Sequence, residues 1–313
     1  IMEENINEKV NEKPAAADAA AISPKKIYLL MVCAALFWAG AFIAGKYTVP
    51  YIPVFTLTFL RFFYATVILY FVMKRMSVDF RLERKKLPVY LFTGTVGMFG
   101  YHVLFFTALR YTTAINSSII AATNPMVTTV LALLFLRNRL GGKRVAGILL
   151  SFVGVVLTIT GADLDVLRRF TFNAGDLLML AAVASWAVYS VYSKSRGKEI
   201  APIVLTYYSF LVCTILLIPF VLYERPWEFL SGVPGTAHLA VLYMSVFPSV
   251  IGYLVQQTAI REIGPEKASV FINLVPVFSI LLAVLILGEA LEPVKLLTAA
   301  LIIAGVLICQ RSD

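Results

Sequence analysis

TALR at residues 107–110 and TAIR at residues 258–261 stand 151 positions apart, and this pairing decides how the chain is read. The same offset lays Pro125 on Pro276, Ala132 on Ala283 and Gly154 on Gly305 without a gap. An offset of 148 lays Trp38 and Lys46 on Trp186 and Lys194, and Leu57-Thr58 on Leu205-Thr206. The chain therefore reads as two copies of one unit, spanning residues 25–161 and 174–310.

Composition says where those copies live. Of 313 residues, 60% are hydrophobic and 14% are charged, and the mean hydropathy is +0.84, beyond the range of soluble domains. A bilayer core about 30 Å thick needs roughly 20 apolar residues of helix. Runs of that size begin near Ile27, Pro53, Leu87, Thr112, Gly142, Ala174, Pro202, Gly235, Pro265 and Glu292. The expected fold is an all-α integral membrane protein with ten transmembrane helices, five to each copy. An odd number of spans returns the chain on the opposite face, so the second copy enters the membrane inverted. Inverted repeats can exchange conformations around one central site, the basis of alternating access.

Lysine and arginine set the orientation. With the N-terminus inside, 20 of the 27 fall in cytoplasmic segments and six in outside segments, leaving Arg61 within a span. Both termini are thus expected in the cytoplasm, and the protein in the cell (inner or plasma) membrane of a prokaryote. Residues 1–24 are polar and Ala-rich with no apolar h-region, and read as a disordered cytoplasmic tail rather than a cleaved signal peptide. The net charge of +9 lies in short clusters between apolar runs, so it forms no face for nucleic acid.

Against that background, the side chains that could carry chemistry are few. Counting a 1.5 Å rise per residue places Trp38 roughly 16 Å from the inner surface and Trp186 roughly 18 Å from the outer. Two tryptophans near the midplane suggest a cavity wall, since this residue otherwise favours the wet interface. His102, after Tyr101, is an ionisable group inside a span and so a functional candidate, or else a neutral hydrogen-bonding strut between helices. Imidazole titrates near neutrality, which leaves proton coupling through His102 open. Arg61 lies about 12 Å below the outer surface. Its fork could clamp a substrate carboxylate, pair with helix C-terminal carbonyls, or snorkel outward.

Pro125 and Pro276 fall near the middle of the fourth and ninth runs. Each ring removes a backbone donor and frees a carbonyl, at Ala121 and Ile272, predicting paired kinks. Asn124, Asn273 and Gln256 add polar surface there, and Tyr189 and Tyr253 complete the candidate binding set. The 18 Asp and Glu avoid the middle of every run; Asp176 and Glu289 sit near run ends. A dication-binding carboxylate is therefore missing, and a neutral or zwitterionic solute fits better. An aromatic box could still hold a quaternary amine or another monocation. No enzyme motif, cofactor motif or metal-ligand spacing is present.

These features together resemble the drug/metabolite transporter superfamily, in the ten-helix form with two tandem EamA-type repeats. The resemblance covers residues 27–310. Its carriers are Phe37-Trp38-Ala39-Gly40 and Ser185-Trp186-Ala187, Arg61, the paired Pro125 and Pro276, and Leu287-Gly288-Glu289. Tyr101-His102 with both tryptophans is similar to the bacterial aromatic-amino-acid exporters of that superfamily. The resemblance implies a cavity among helices 1, 3, 4, 6, 8 and 9, lined by Trp38, Tyr101, His102 and Trp186, with helices 5 and 10 peripheral. It also implies that Arg61 is held regardless of substrate, which favours a structural role. Ala121, Ala122, Thr123 and Asn124 replace the bulky aromatics of those exporters and predict a roomier, more polar pocket. The expected function is alternating-access export of small polar metabolites, amino acids or related zwitterions first, with a passive channel as the contrasting class.

Overall fold

Every regular element in the computed structural model is helical among the described residues, which are 23–136, 141–169, 171–263, 268 and 271–310. The tail expected at residues 1–24 falls almost entirely outside them, as do Arg137, Asn138 and Arg139. The helices are α1 (Pro24–Thr48), α2 (Val54–Arg75), α3 (Arg84–Tyr111), α4 (Ala114–Ala121 and Asn124–Leu136) and α5 (Gly142–Thr160). After a short turn of helix at Leu164–Arg169 come α6 (Ala174–Arg196) and α7 (Pro202–Glu224). The remainder are α8 (Gly235–Met244, Ser245–Gly252 and Tyr253–Ile263), α9 (Leu274–Leu287) and α10 (Pro293–Gln310).

Local chemistry explains the ends. Proline occupies the first turn of α1, α7 and α10, where its missing N–H costs nothing. Gly161 closes α5 in the left-handed region at φ +63°, and Gly288 closes α9 at φ +65°, both conformations that a side chain resists. The helix starts lie within three residues of those expected, apart from the run near Pro265, which lies outside the described residues.

Six of these helices are long and apolar enough to cross a membrane, and 145–160, 274–287 and 293–308 are shorter apolar helices. Their outer faces carry Leu149, Phe152, Ile215, Leu222, Leu285, Ile286 and Leu297, each more than half exposed. Exposed apolar surface on that scale belongs against lipid, and the protein is an integral membrane protein.

The two halves pack as partners. Helix α2 lies on α7, α4 on α9 and α5 on α10, each the fifth helix onward. In all three pairs the chains run antiparallel. The Glu224 carboxylate at the end of α7 accepts the Phe55 and Thr56 amides at the start of α2, at 3.2 and 2.7 Å. Glu289, just past α9, accepts the Ala114 and Ile115 amides at the start of α4, at 2.7 and 3.0 Å. Along α5 and α10, Lys295 Nζ donates to the Thr158 carbonyl near one end, while Ser151 Oγ donates to the Ile302 carbonyl further in. At that crossing a Cβ on Gly154 would meet Ile302 Cγ1 at 2.7 Å, and one on Gly305 would meet the Gly147 carbonyl at 2.6 Å and Ser151. The two contacts exchange under the 151-residue offset, so the repeat in sequence is also a repeat in packing.

Candidate functional site

The site begins with two interruptions of α-helical register. Residues Thr93–Gly100 of α3 and Ser245–Gly252 of α8 wind as π-helix, at matching places in the two halves. A π turn admits an extra residue and re-aims the side chains that follow, and such turns gather at functional sites. Tyr101 and His102 leave the first segment and Tyr253 leaves the second.

Each tryptophan reaches into the opposite half. Trp38 of α1 donates from Nε1 to the Pro248 carbonyl in the second π segment, at 3.2 Å. Trp186 of α6 lies 4.9 Å from the Tyr101 ring of α3 and 5.0 Å from Tyr189. His102 is buried and edges onto the Phe62 ring at 4.6 Å. Its Nδ1 lies 2.9 Å from the Met98 carbonyl. A carbonyl only accepts, so Nδ1 is the donor in this bond and carries a proton.

Arg61 neither snorkels outward nor, among the described residues, caps a helix end. It is 5% exposed, its Nε donates to Ser249 Oγ at 3.0 Å, and its guanidinium lies 5.6 and 5.9 Å from the Phe62 and Phe106 ring centres. Ser249 in turn donates to the Met244 carbonyl at 2.8 Å, which fixes its lone pairs toward Arg61.

The paired prolines interrupt the hydrogen bonding of their helices where the sequence predicted kinks, with Ala122 and Asn273 still in the right-handed helical region. In α4 a turn at residues 122–123 separates Ala114–Ala121 from Asn124–Leu136, so Pro125 sits in the first turn of a new segment. In α9 the turn falls at Asn273, and Pro276 lies in the first turn of the segment that starts at Leu274. Proline in a first turn needs no acceptor, and two fresh helix N-termini result.

These parts surround a cavity of about 820 Å³, within the size range of small-molecule sites. Trp38, Arg61, Tyr101, His102, Asn124, Trp186, Tyr189, Tyr253, Gln256 and Asn273 all line it, so the structure brings the whole candidate set together. Ala121 and Ala122 line it too, but Thr123 is fully buried and spends its hydroxyl on the Ile120 carbonyl. Sequence reasoning missed Ser190, Ser193, Lys194 and Lys198, which continue the α6 wall. For Ser190, Ser193 and Lys194 the spacing of four from Trp186, Tyr189 and Ser190 on one helical face was the available signal; Lys198 lies in the loop beyond the helix. Among the described residues no group of His, Cys, Asp or Glu could hold a metal ion.

The cavity reaches the loop between α6 and α7 through Lys194, Gly197, Lys198 and Pro202. The opposite end of α6 is closed. There Lys46 Nζ donates to the Leu109 and Thr112 carbonyls at 2.8 and 2.6 Å. Asp176 accepts from Thr112 Oγ1 at 2.5 Å and from Asn116 Nδ2 at 3.1 Å, while Glu289 holds the start of α4 beside them.

The model of the EamA-like transporter family matches residues 25–160 and again 173–310. The chain belongs to the EamA-like transporter family. It is accordingly a membrane transporter and not an enzyme. "Uncharacterized transporter YyaM" of Bacillus subtilis is 32% identical over 90% of this chain and 92% of its own length. An "Uncharacterized transporter" of Archaeoglobus fulgidus is 31% identical over 90% and 96%. The "Probable terminal-alkyne amino-acid exporter" of Streptantibioticus cattleyicolor is 26% identical over 90% and 92%. A solved crystal structure shares this fold with a TM-score of 0.66 at 23% identity, covering 93% of this chain and all of the other.

Proposed function

We propose that this EamA-family protein is an alternating-access secondary transporter that exports small polar metabolites, amino acids and related zwitterions foremost. Its ten helices are read as ten transmembrane spans in two inverted-topology five-helix repeats. The antiparallel packing of α2 on α7, α4 on α9 and α5 on α10 supports the inversion, because equivalent helices in inverted copies run in opposite directions.

The observation that carries the reading is a cavity open at one end of the bundle and clasped at the other. A channel needs a path through; an alternating-access carrier in one of its two states has this shape. The open end carries Lys194, Arg196 and Lys198, on the side richer in lysine and arginine. By that rule both termini are cytoplasmic and the conformation faces inward.

Amino-acid export draws support from the relative in Streptantibioticus cattleyicolor, whose name states that activity, and from a wall that is aromatic on Trp38, Tyr101 and Trp186 and polar on Asn124, Gln256 and Asn273. A quaternary amine in an aromatic box would find no carboxylate among the described residues that line the cavity. In proteoliposomes, uptake should be saturable, selective and accelerated by solute on the far side; linear flux would favour a channel. His102→Ala should impair uptake while expression stays intact, and a variant that fails to fold would return His102 to a structural role. If His102 couples protons, an imposed pH gradient drives uptake; indifference to the gradient removes coupling.

A further inference from the structure

We infer that the cavity selects solutes bearing a carboxylate, and that Arg61 is the residue that receives it. This rests on the reading of the cavity as the solute site, and it goes further by assigning the charge of the solute and the group that reads it.

Arg61 is a buried cation without a counter-ion among the described residues. The titratable groups around it are Tyr101, Tyr243, Tyr253, Cys213 and His102, and none is a carboxylate. Its Nε is engaged by Ser249, and among the described residues Nη1 and Nη2 find no hydrogen-bond acceptor. Guanidinium nitrogens left unpaired in a low-dielectric site are costly. A carboxylate offers two oxygens at the spacing of that fork.

The rest of the cavity points the same way. Among the described residues that line it, Arg61, Lys194 and Lys198 are cationic and none is Asp or Glu. The broken α4 and α9 both present the N-terminal ends of their second segments to it, through Asn124, Pro125, Val275 and Pro276. Those ends carry partial positive charge, and discontinuous helices in transporters aim them at anionic groups. Trp38, Phe105 and Trp186 supply an apolar wall for the remainder of the solute. Lys194 and Lys198, exposed at the mouth, draw anions inward.

The test uses four probes with one aromatic body: 3-phenylpropanoate, L-phenylalanine, L-phenylalaninamide and phenethylamine. Binding to the purified full-length protein is followed by calorimetry. The two carboxylates are expected to bind, with the amide and the amine at least about ten-fold weaker, the cost of one charge-assisted pair. Arg61→Gln should abolish that discrimination and Arg61→Lys should retain part of it. Amide or amine binding as tight as the carboxylates overturns the inference, and so does absence of saturable 3-phenylpropanoate binding at millimolar concentration. A folded Arg61→Gln protein that still prefers carboxylates overturns it too. If Arg61→Gln does not fold, the four-probe series on the unaltered protein decides alone. Carboxylate-selective binding with only linear flux would sink the alternating-access reading and leave this one standing. Saturable exchange of amines alone would do the reverse.

Discussion

Arg61 Nε and Ser249 Oγ meet at 3.0 Å across 188 positions of sequence, joining α2 of the first half to the π segment of the second. The bond holds a charged group against the one stretch of α8 whose register departs from α-helix. It thereby sets the direction in which the free side of the guanidinium faces. Two further contacts between the halves shape the cavity. Trp38 reaches Pro248, and Trp186 reaches Tyr101, so neither half builds the site alone.

Removing the serine hydroxyl should therefore misdirect Arg61 without emptying the cavity. A hydrogen bond to a charged group contributes about 1.5–3 kcal/mol. Ser249→Ala is expected to weaken 3-phenylpropanoate binding roughly ten-fold or more, with Ser249→Thr close to the original. Calorimetry on the purified variants checks this. Equal affinity in all three proteins would mean that the Arg61 rotamer is set by its packing on Phe62 and Phe106.

The α5–α10 crossing gives a prediction about stability alone. Gly154→Ala would press on Ile302 Cγ1 at 2.7 Å but meet backbone only at 3.2 Å, at Ile302 N and the Thr298 carbonyl. Gly305→Ala would press directly on backbone, the Gly147 carbonyl at 2.6 Å and Ser151 N at 2.7 Å, which cannot turn away. Gly305→Ala should lower the melting temperature by several degrees and Gly154→Ala by less, overpacking costing about 1–3 kcal/mol. Neither helix lines the cavity, so solute affinity should be unchanged. Thermal unfolding in detergent and binding on the same samples test both halves of the statement.

Trp38 separates hydrogen bonding from bulk. Trp38→Phe keeps an aromatic wall but loses the Nε1 donor to Pro248, and should cost about 1 kcal/mol of stability with a small loss of affinity. Trp38→Ala also opens space beside Gly252, whose Cβ would lie 3.0 Å from Trp38 Nε1, and should cost several-fold more in binding. Similar behaviour of the two variants would show that the donor, not the ring, is what the site needs.

Most of this arrangement was legible in the sequence, for a physical reason. Polar and ionisable side chains are expensive inside apolar helices, so Arg61, Tyr101-His102, Asn124 and Asn273 stand out wherever they occur, and all line the cavity. The 151-residue offset made Gly154 and Gly305 equivalent, and their packing in the structure is equivalent too. What stayed hidden depends on partners distant in the chain. Nothing in residues 93–100 or 245–252 announces a π register, and a proline in an apolar run reads equally as a kink or a break. Glu289 reads only as a carboxylate near a run end, and Glu224 has no reading of its own, but each holds the first amides of a helix in the other half. Lys194 and Lys198 were counted as topological charges, and their place on the cavity wall follows only from the direction α6 presents to α3 and α4.

The closed end makes the last prediction. Lys46, Asp176 and Glu289 bind α1, α3, α4, α6 and α9 together through seven hydrogen bonds no longer than 3.3 Å. These contacts must part if the cavity is ever to face the compartment beyond them. Lys46→Met removes the donor to the Leu109 and Thr112 carbonyls, and Glu289→Ala removes the acceptor at the start of α4. Each capping interaction of this kind is worth roughly 0.5–2 kcal/mol, enough to raise a minor open state several-fold. A cysteine placed at Thr128 on the cavity wall, with Cys33, Cys213 and Cys309 replaced by alanine, reports that state. A membrane-impermeant thiol reagent applied from the clasped side should label Thr128→Cys several-fold faster when Lys46→Met and Glu289→Ala are present. Labelling at an unchanged rate would mean that the clasp stabilises the helix ends and does not control access.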